Sequence, residues 1–132
     1  VIQGGCFCRA IRYETDSIPF HETSCHCSVC RLTSGAPFVT WFSVPKSSFK
    51  FISGTPAQFR STTKGSRTFC PQCGTSLTCE LDDFPFEVDV TTCSLDNPDS
   101  LPPRDHTQTI SKLPWIALAD GLPAYRESRH ND

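Results

Sequence analysis

An all-β domain of short strands is the fold class that this 132-residue sequence predicts, on three observations. Eleven prolines are spread along the chain, no window sustains an apolar period of 3.6 residues, and short β-branched or aromatic runs recur between Gly and Pro. Long helices have no room, and this length suits a single domain over residues 1–132.

Taken in order, Gly5-Cys6-Phe7-Cys8-Arg9-Ala10-Ile11-Arg12-Tyr13-Glu14 alternates like a strand and ends at a turn over 16–19. His21 and Glu22 lead into Cys25-His26-Cys27-Ser28-Val29-Cys30. In an extended segment Cys25 and Cys27 face the same way, and a turn at Ser28-Val29 brings Cys30 to meet them. Residues 31–35 suit one helical turn. Strands follow over 38–44, closed by Pro45, then 48–54 with Phe49 and Phe51 on one face, then 57–63. Arg67-Thr68-Phe69 enters, and residues 75–81 leave, the turn Cys70-Pro71-Gln72-Cys73-Gly74, as two strands do around a zinc knuckle. Residues 86–93 set Glu87, Asp89 and Thr91 against Val88, Val90 and Thr92, the pattern of a half-buried strand. Residues 95–104 read as loop, and 126–132 as a polar, frayed tail.

Twelve Lys+Arg against fourteen Asp+Glu leave a formal charge of −2. With no basic stripe and no amphipathic basic face, the sequence argues against nucleic-acid and membrane partners. The apolar stretch 114–119 is far too short to span a bilayer, and the opening residues lack the charged and apolar regions of a secretory signal. With no Met anywhere, Val1 is read as a processed or trimmed start.

Nine cysteines invite either disulfides or metal. The count is odd, and seven of the nine fall in CxC or CxxC clusters, which favours zinc in a reducing, cytoplasmic setting. Cys79 and Cys93 lie outside the clusters and read as small buried side chains. Cys70 and Cys73 form a knuckle needing two further ligands. Spacing offers two donors, Cys6 with Cys8 or Cys25 with Cys27, and does not choose between them. In the first case Cys25, Cys27 and Cys30 are left as a three-sulfur site with one open position, the mark of a catalytic metal; in the second that idea fails.

The segments GGCFCRAIRYE (4–14), CHCSVCRLTSGAPFVTWFSV (25–44), SGTPAQFRSTTKGSRTFCPQCGTSL (53–77) and SKLPWIALADGLPAY (111–125) resemble, in order, the glutathione-dependent formaldehyde-activating enzyme family, the CENP-V/GFA domain. The resemblance implies an Mss4-like all-β fold bearing zinc. It also implies a partition: Cys6, Cys8, Cys70 and Cys73 as the structural zinc site, and Cys25, Cys27 and Cys30 as a second, catalytic and labile one. The implied activity is that of a carbon–sulfur lyase joining and parting a small thiol and a carbonyl compound, as in S-hydroxymethylglutathione formation from glutathione and formaldehyde. Two alternatives stand beside it: a lyase or cyclase of specialised metabolism with another substrate, and a non-catalytic zinc-binding interaction domain.

Such chemistry needs a proton donor, for which His26 and His106 are candidates by ordinary pKa, although each reads more readily as a packing or surface histidine. Arg31 is placed to pair with a carboxylate or to offset thiolate charge. Trp41, Phe42, Phe49, Phe51 and Phe59 read as core before pocket wall, and Trp115 as a pin for the C-terminal segment.

Overall fold

The computed structural model describes residues 1–129. Strands β1 (Ile2–Gly5), β2 (Arg12–Thr15), β3 (Phe20–Cys25), β4 (Val39–Pro45), β5 (Phe49–Ser53), β6 (Ala57–Thr62), β7 (Gly65–Phe69), β8 (Ser76–Leu81), β9 (Glu87–Thr91) and β10 (Asp105–Thr107) accompany a single α-helix among the described residues, α1 (Ser28–Ser34). They form a three-stranded sheet, β1-β2-β5, and a seven-stranded sheet, β10-β3-β4-β9-β8-β7-β6. All named pairings are antiparallel except β10 on β3. The architecture is all-β with one short helix, as the prolines and broken apolar periods predict.

The core lies between the two sheets. Tyr13 and Ile11 from the small sheet's side meet Phe42, Val44, Leu77, Val88 and Val90 of the large one. Tyr13 is fully buried beneath Phe49 and Phe51 and shares a 2.6 Å hydrogen bond with Ser94 Oγ; burial pushes its hydroxyl up to about 12. Gly4 runs so close beneath this ring that a Cβ would collide with the Tyr13 hydroxyl and the Ser94 carbonyl. Gly4→Ala is therefore expected to lower the unfolding free energy by about 1–3 kcal/mol, read as a lower urea midpoint at unchanged slope.

A bulge sets the opposite face of the large sheet. Between Thr68↔Thr78 and Phe69↔Ser76 the strand β8 carries one extra residue, Leu77. The extra residue reverses the pleat, so Leu77 enters the core while Cys79 faces the other side. On that side the register lines up Ser43, Asp89, Cys79 and Arg67 as direct cross-strand neighbours on β4, β9, β8 and β7.

The alternating run 5–14 is not one strand. It breaks into β1 and β2 around a turn in which the Arg9 N–H donates to the Cys6 carbonyl and Arg9 takes φ +67°. The helical turn begins three residues earlier than expected, because Cys27 Sγ caps it by accepting the Cys30 N–H, and Gly35 at φ +72° ends it. Phe42, Phe49 and Phe51 are core; Phe59 is exposed instead, meeting Phe69 edge to face, and of the five aromatics read together Trp41 faces the cavity described below.

Trp115 is 69% exposed and pins nothing; the C-terminal segment is held instead by backbone bonds of His106 to Pro123 and Tyr125. Cys93 is exposed in a 3-10 turn rather than buried. Residues 126–129 are tied down, with the Arg126 and Glu127 carbonyls accepting from Ile110 and Gln108 and with Arg129 paired to Asp105. The last three residues of the expected tail lie outside the described residues.

Candidate metal centres and their cavity

Two turns build the first cluster. Cys6 and Cys8 come from the β1–β2 turn, Cys70 and Cys73 from the β7–β8 turn, and their four sulfurs lie within 4.8 Å of one another. Cys8 Sγ stands 3.6 Å from Cys6 Sγ and 3.7 Å from Cys70 Sγ. A tetrahedron of sulfurs at the usual zinc–sulfur length has edges of about 3.8 Å, so the donors fit zinc. Backbone N–H groups of Ile11, Gln72 and Cys73 point at Cys6 and Cys70 sulfurs at 3.2–3.4 Å, offsetting thiolate charge. The Phe7 N–H to Thr75 Oγ1 bond ties the two turns together, and hydrogen bonds from the Thr75 hydroxyl and then its N–H bring the Cys73 thiol down to about 5. Gly74, at φ +83°, closes the knuckle in a conformation that favours glycine.

The second cluster is made where a strand becomes a helix. Cys25 ends β3, Cys27 caps α1 and Cys30 lies in its first turn, with the three sulfurs again within 4.8 Å. Among the described residues no further Cys, His, Asp or Glu atom joins this group. The three thiols divide their protons unevenly. Hydrogen bonds from Cys25 and then Cys30 hold the Cys27 thiol far below its usual range, and the bond to Cys27 pushes that of Cys25 up. Arg67 supplies the nearby positive charge. Buried, with its guanidinium carbon 5.4 Å over the Trp41 ring, it reaches Cys30 Sγ at 3.6 Å through Nη2, Thr33 Oγ1 at 3.2 Å through Nη1 and Ser61 Oγ at 3.3 Å through Nε.

The three sulfurs open on a cavity of about 390 Å³ over the outer face of the large sheet. Its wall includes Trp41, Arg67, Cys79 and Asp89, together with Glu87 and His21. Burial lifts Asp89 to about 6 against the opposing hydrogen bond that Ser43 Oγ donates to it at 2.6 Å, and burial likewise raises Cys79 to about 12. His21 sits at a bulge in β3 with φ +53°, and Gln108, also in the wall, has φ +57°. Thus two of the three non-glycine residues with positive φ among those described border the cavity, where strained backbone tends to gather.

His26 and His106 do not line this cavity. Both are buried on the far side of the cysteine loop, with His26 against Phe38 at 4.6 Å. Asp120 Oδ2 accepts from His106 Nε2 at 2.7 Å, which leaves His106 Nδ1 to accept from His26 Nε2 at 3.0 Å. With the His26 N–H bonded to the Thr107 carbonyl at 3.0 Å, this series braces the backbone between Cys25 and Cys27. Arg31 receives the helix cap and does not reach the cavity; Arg67 takes the place beside the thiols. The sequence reading missed Arg67 and Asp89, although the polar side of the Glu87-Asp89-Thr91 alternation was a signal for the second.

A family model described as glutathione-dependent formaldehyde-activating enzyme matches residues 1–111. A Schizosaccharomyces pombe protein named as an uncharacterized lyase is 29% identical over 75 residues, covering 57% of this chain and 54% of that protein. The match thus spans about half the length of that curated relative. A crystal structure of a Rhodobacter sphaeroides protein matches with a TM-score of 0.57 at 22% identity, covering 93% of this chain and 98% of the other, a likeness of fold. With its two cysteine clusters, the chain has the all-β, Mss4-like architecture.

Proposed function

The chain belongs to the glutathione-dependent formaldehyde-activating enzyme family, and from that premise we propose that it is a zinc-dependent carbon–sulfur lyase acting on the adduct of a small thiol and a carbonyl compound. In this reading Cys6, Cys8, Cys70 and Cys73 hold a structural zinc, and Cys25, Cys27 and Cys30 hold the catalytic one. The observation that carries it is the three-sulfur cluster opening on a cavity, beside a cluster of four that is complete in itself. Zinc at such a site supplies a Lewis acid for a carbonyl oxygen and favours the thiolate form of a thiol.

The protein's own groups provide the rest. In the synthetic direction a carbon–sulfur bond forms, the carbonyl π pair moves to oxygen, and that oxygen takes a proton; in the lyase direction the hydroxyl gives up the proton as the bond breaks. Asp89 is the carboxyl group in the wall suited to this transfer, because burial raises it to about 6 while Ser43 fixes its orientation. Arg67 holds the three sulfurs against their mutual repulsion. His26 and His106, the donors considered from sequence, serve as braces for the cysteine loop. The cavity wall favours this enzyme over a non-catalytic zinc-binding domain, which has no use for a polar row beneath an unsaturated cluster. Among the described residues no helix is long and apolar enough to cross a membrane.

Exchange NMR on ¹³C-formaldehyde with a panel of small thiols tests the proposal. Catalytic amounts of protein are expected to accelerate adduct exchange with at least one thiol, and Cys27→Ser to abolish the acceleration. Exchange at the uncatalysed rate for every thiol, at high protein concentration, would remove the lyase reading.

A further inference from the structure

We infer that the cavity accepts neutral or positively charged thiols and carbonyl compounds and turns away anionic ones, the doubly carboxylated peptide glutathione among them. The inference rests on the open-site reading above and narrows its substrate class. Two carboxylates, Glu87 and Asp89, face the cavity from β9. Against them the described wall offers one guanidinium, Arg67, together with His21 at the rim.

Arg67 is committed elsewhere. Of its five N–H donors, three are engaged by Ser61, Thr33 and Cys30, its guanidinium carbon lies 5.4 Å from the Trp41 ring centroid, and only 6% of it is exposed. Its charge answers the thiols and is not free to receive a substrate carboxylate as a bidentate partner. The cations flanking the β8–β9 turn are matched as well, Lys46 to Glu80, Arg60 to Asp82 and Lys64 to Asp83. On the β3–β10 side Arg104 meets Glu22 and Arg129 meets Asp105.

A carboxylate entering this space would lose water, meet two like charges and, among the described residues, find no cation oriented toward it. A neutral body fits better, since Val29, Trp41, Leu81 and Phe84 supply apolar wall and Thr23 and Thr107 supply hydroxyls. The groups facing Asp89 from the packed elements are Ser43 on β4, Cys79 on β8, Arg67 on β7, Glu87 on its own strand and His21 on β3. Among the described lining residues none of them reverses the sign of the field at the mouth, because Arg67, the permanent cation among them, is turned toward sulfur.

The test compares thiols of similar size and different charge on the cobalt-substituted protein at pH 8: cysteamine (positive), 2-mercaptoethanol (neutral), thioglycolate (negative), with glutathione alongside. Binding is read from the thiolate-to-cobalt charge-transfer band, and independently from Trp41 fluorescence in a Trp115→Phe background. Cysteamine and 2-mercaptoethanol are expected to half-saturate at concentrations at least about tenfold below thioglycolate and glutathione. Glu87→Gln with Asp89→Asn is expected to bring thioglycolate within about threefold of 2-mercaptoethanol. Equal binding of anionic and neutral thiols, or discrimination untouched by the double variant, would overturn the inference while leaving the open site standing. Failure of every thiol to move either signal would overturn it together with the open-site reading.

Discussion

Cys73→Ser is expected to yield an unfolded or aggregated protein, whereas Cys27→Ser is expected to yield a folded one that binds a single zinc. The two variants remove the same atom from similar sequence contexts, so the contrast comes from what each sulfur holds. Cys73 belongs to a cluster that joins the β1–β2 and β7–β8 turns, and its partners Cys6 and Cys70 are part of the main core. Structural zinc contributes about 10–16 kcal/mol of folding free energy in small zinc domains, as much as the whole stability of an ordinary domain. Losing one of four ligands therefore removes more than the rest of the fold can replace. Cys27 ties together only the end of β3 and the start of α1. Serine keeps the helix cap that alanine would lose, a contribution of about 1 kcal/mol, so metal loss is separated from helix fraying. Circular dichroism, size-exclusion chromatography and metal content decide the matter. Collapse of both variants, or a folded Cys73→Ser protein with one zinc, would undo the division of labour.

Asp89→Asn is expected to slow thiol–carbonyl exchange by about 10²–10⁴-fold and yet to stabilise the protein above pH 6. The sign follows from burial. Asp89 is lifted from 3.8 to about 6 in the folded state, with desolvation as the largest cause. A carboxyl raised in this way favours the folded state while protonated; that contribution is complete below about 3.8 and is lost as pH rises through about 6. At pH 8 the ionised side chain therefore weighs against folding by up to about 3 kcal/mol, at about 1.4 kcal/mol per pKa unit. Asparagine carries no charge and still accepts from Ser43. Urea unfolding at pH 5 and pH 8 should show the variant's advantage growing with pH. A variant less stable than the parent at pH 8, or an advantage that shrinks as pH rises, would contradict the placement of Asp89 as a buried, functional acid.

These two residues illustrate how much of the molecule was legible beforehand. Cys73 announced itself, because a CPxCG knuckle is a local device whose two sulfurs and following glycine lie within five residues. Its partners did not: spacing left Cys6 and Cys25 equal, and the choice depends on which turn the folded sheets set beside the knuckle. Asp89 was visible only as one member of an alternating strand. Its chemistry arises from register, since β8 sets Cys79 opposite Asp89 and the bulge at Leu77 sets Arg67 opposite Cys79. Strand β3 escaped notice because its buried positions include Glu22 and Ser24, satisfied by Arg104 and Thr40 rather than by apolar neighbours. Strand β10 escaped for the same reason, being three buried polar residues, Asp105, His106 and Thr107, matched to Arg129, Asp120 and Thr23. Hydrophobic periodicity reads cores and is blind to strands whose inner face is polar and paired.

In the proposed division of labour one cysteine cluster is complete while the other keeps a position for substrate. Zinc-edge X-ray absorption on the two-metal protein counts sulfurs per zinc directly. An average between three and four in the resting protein, rising to four when 2-mercaptoethanol is added, is the predicted result. Four sulfurs per zinc before any thiol is added would contradict it.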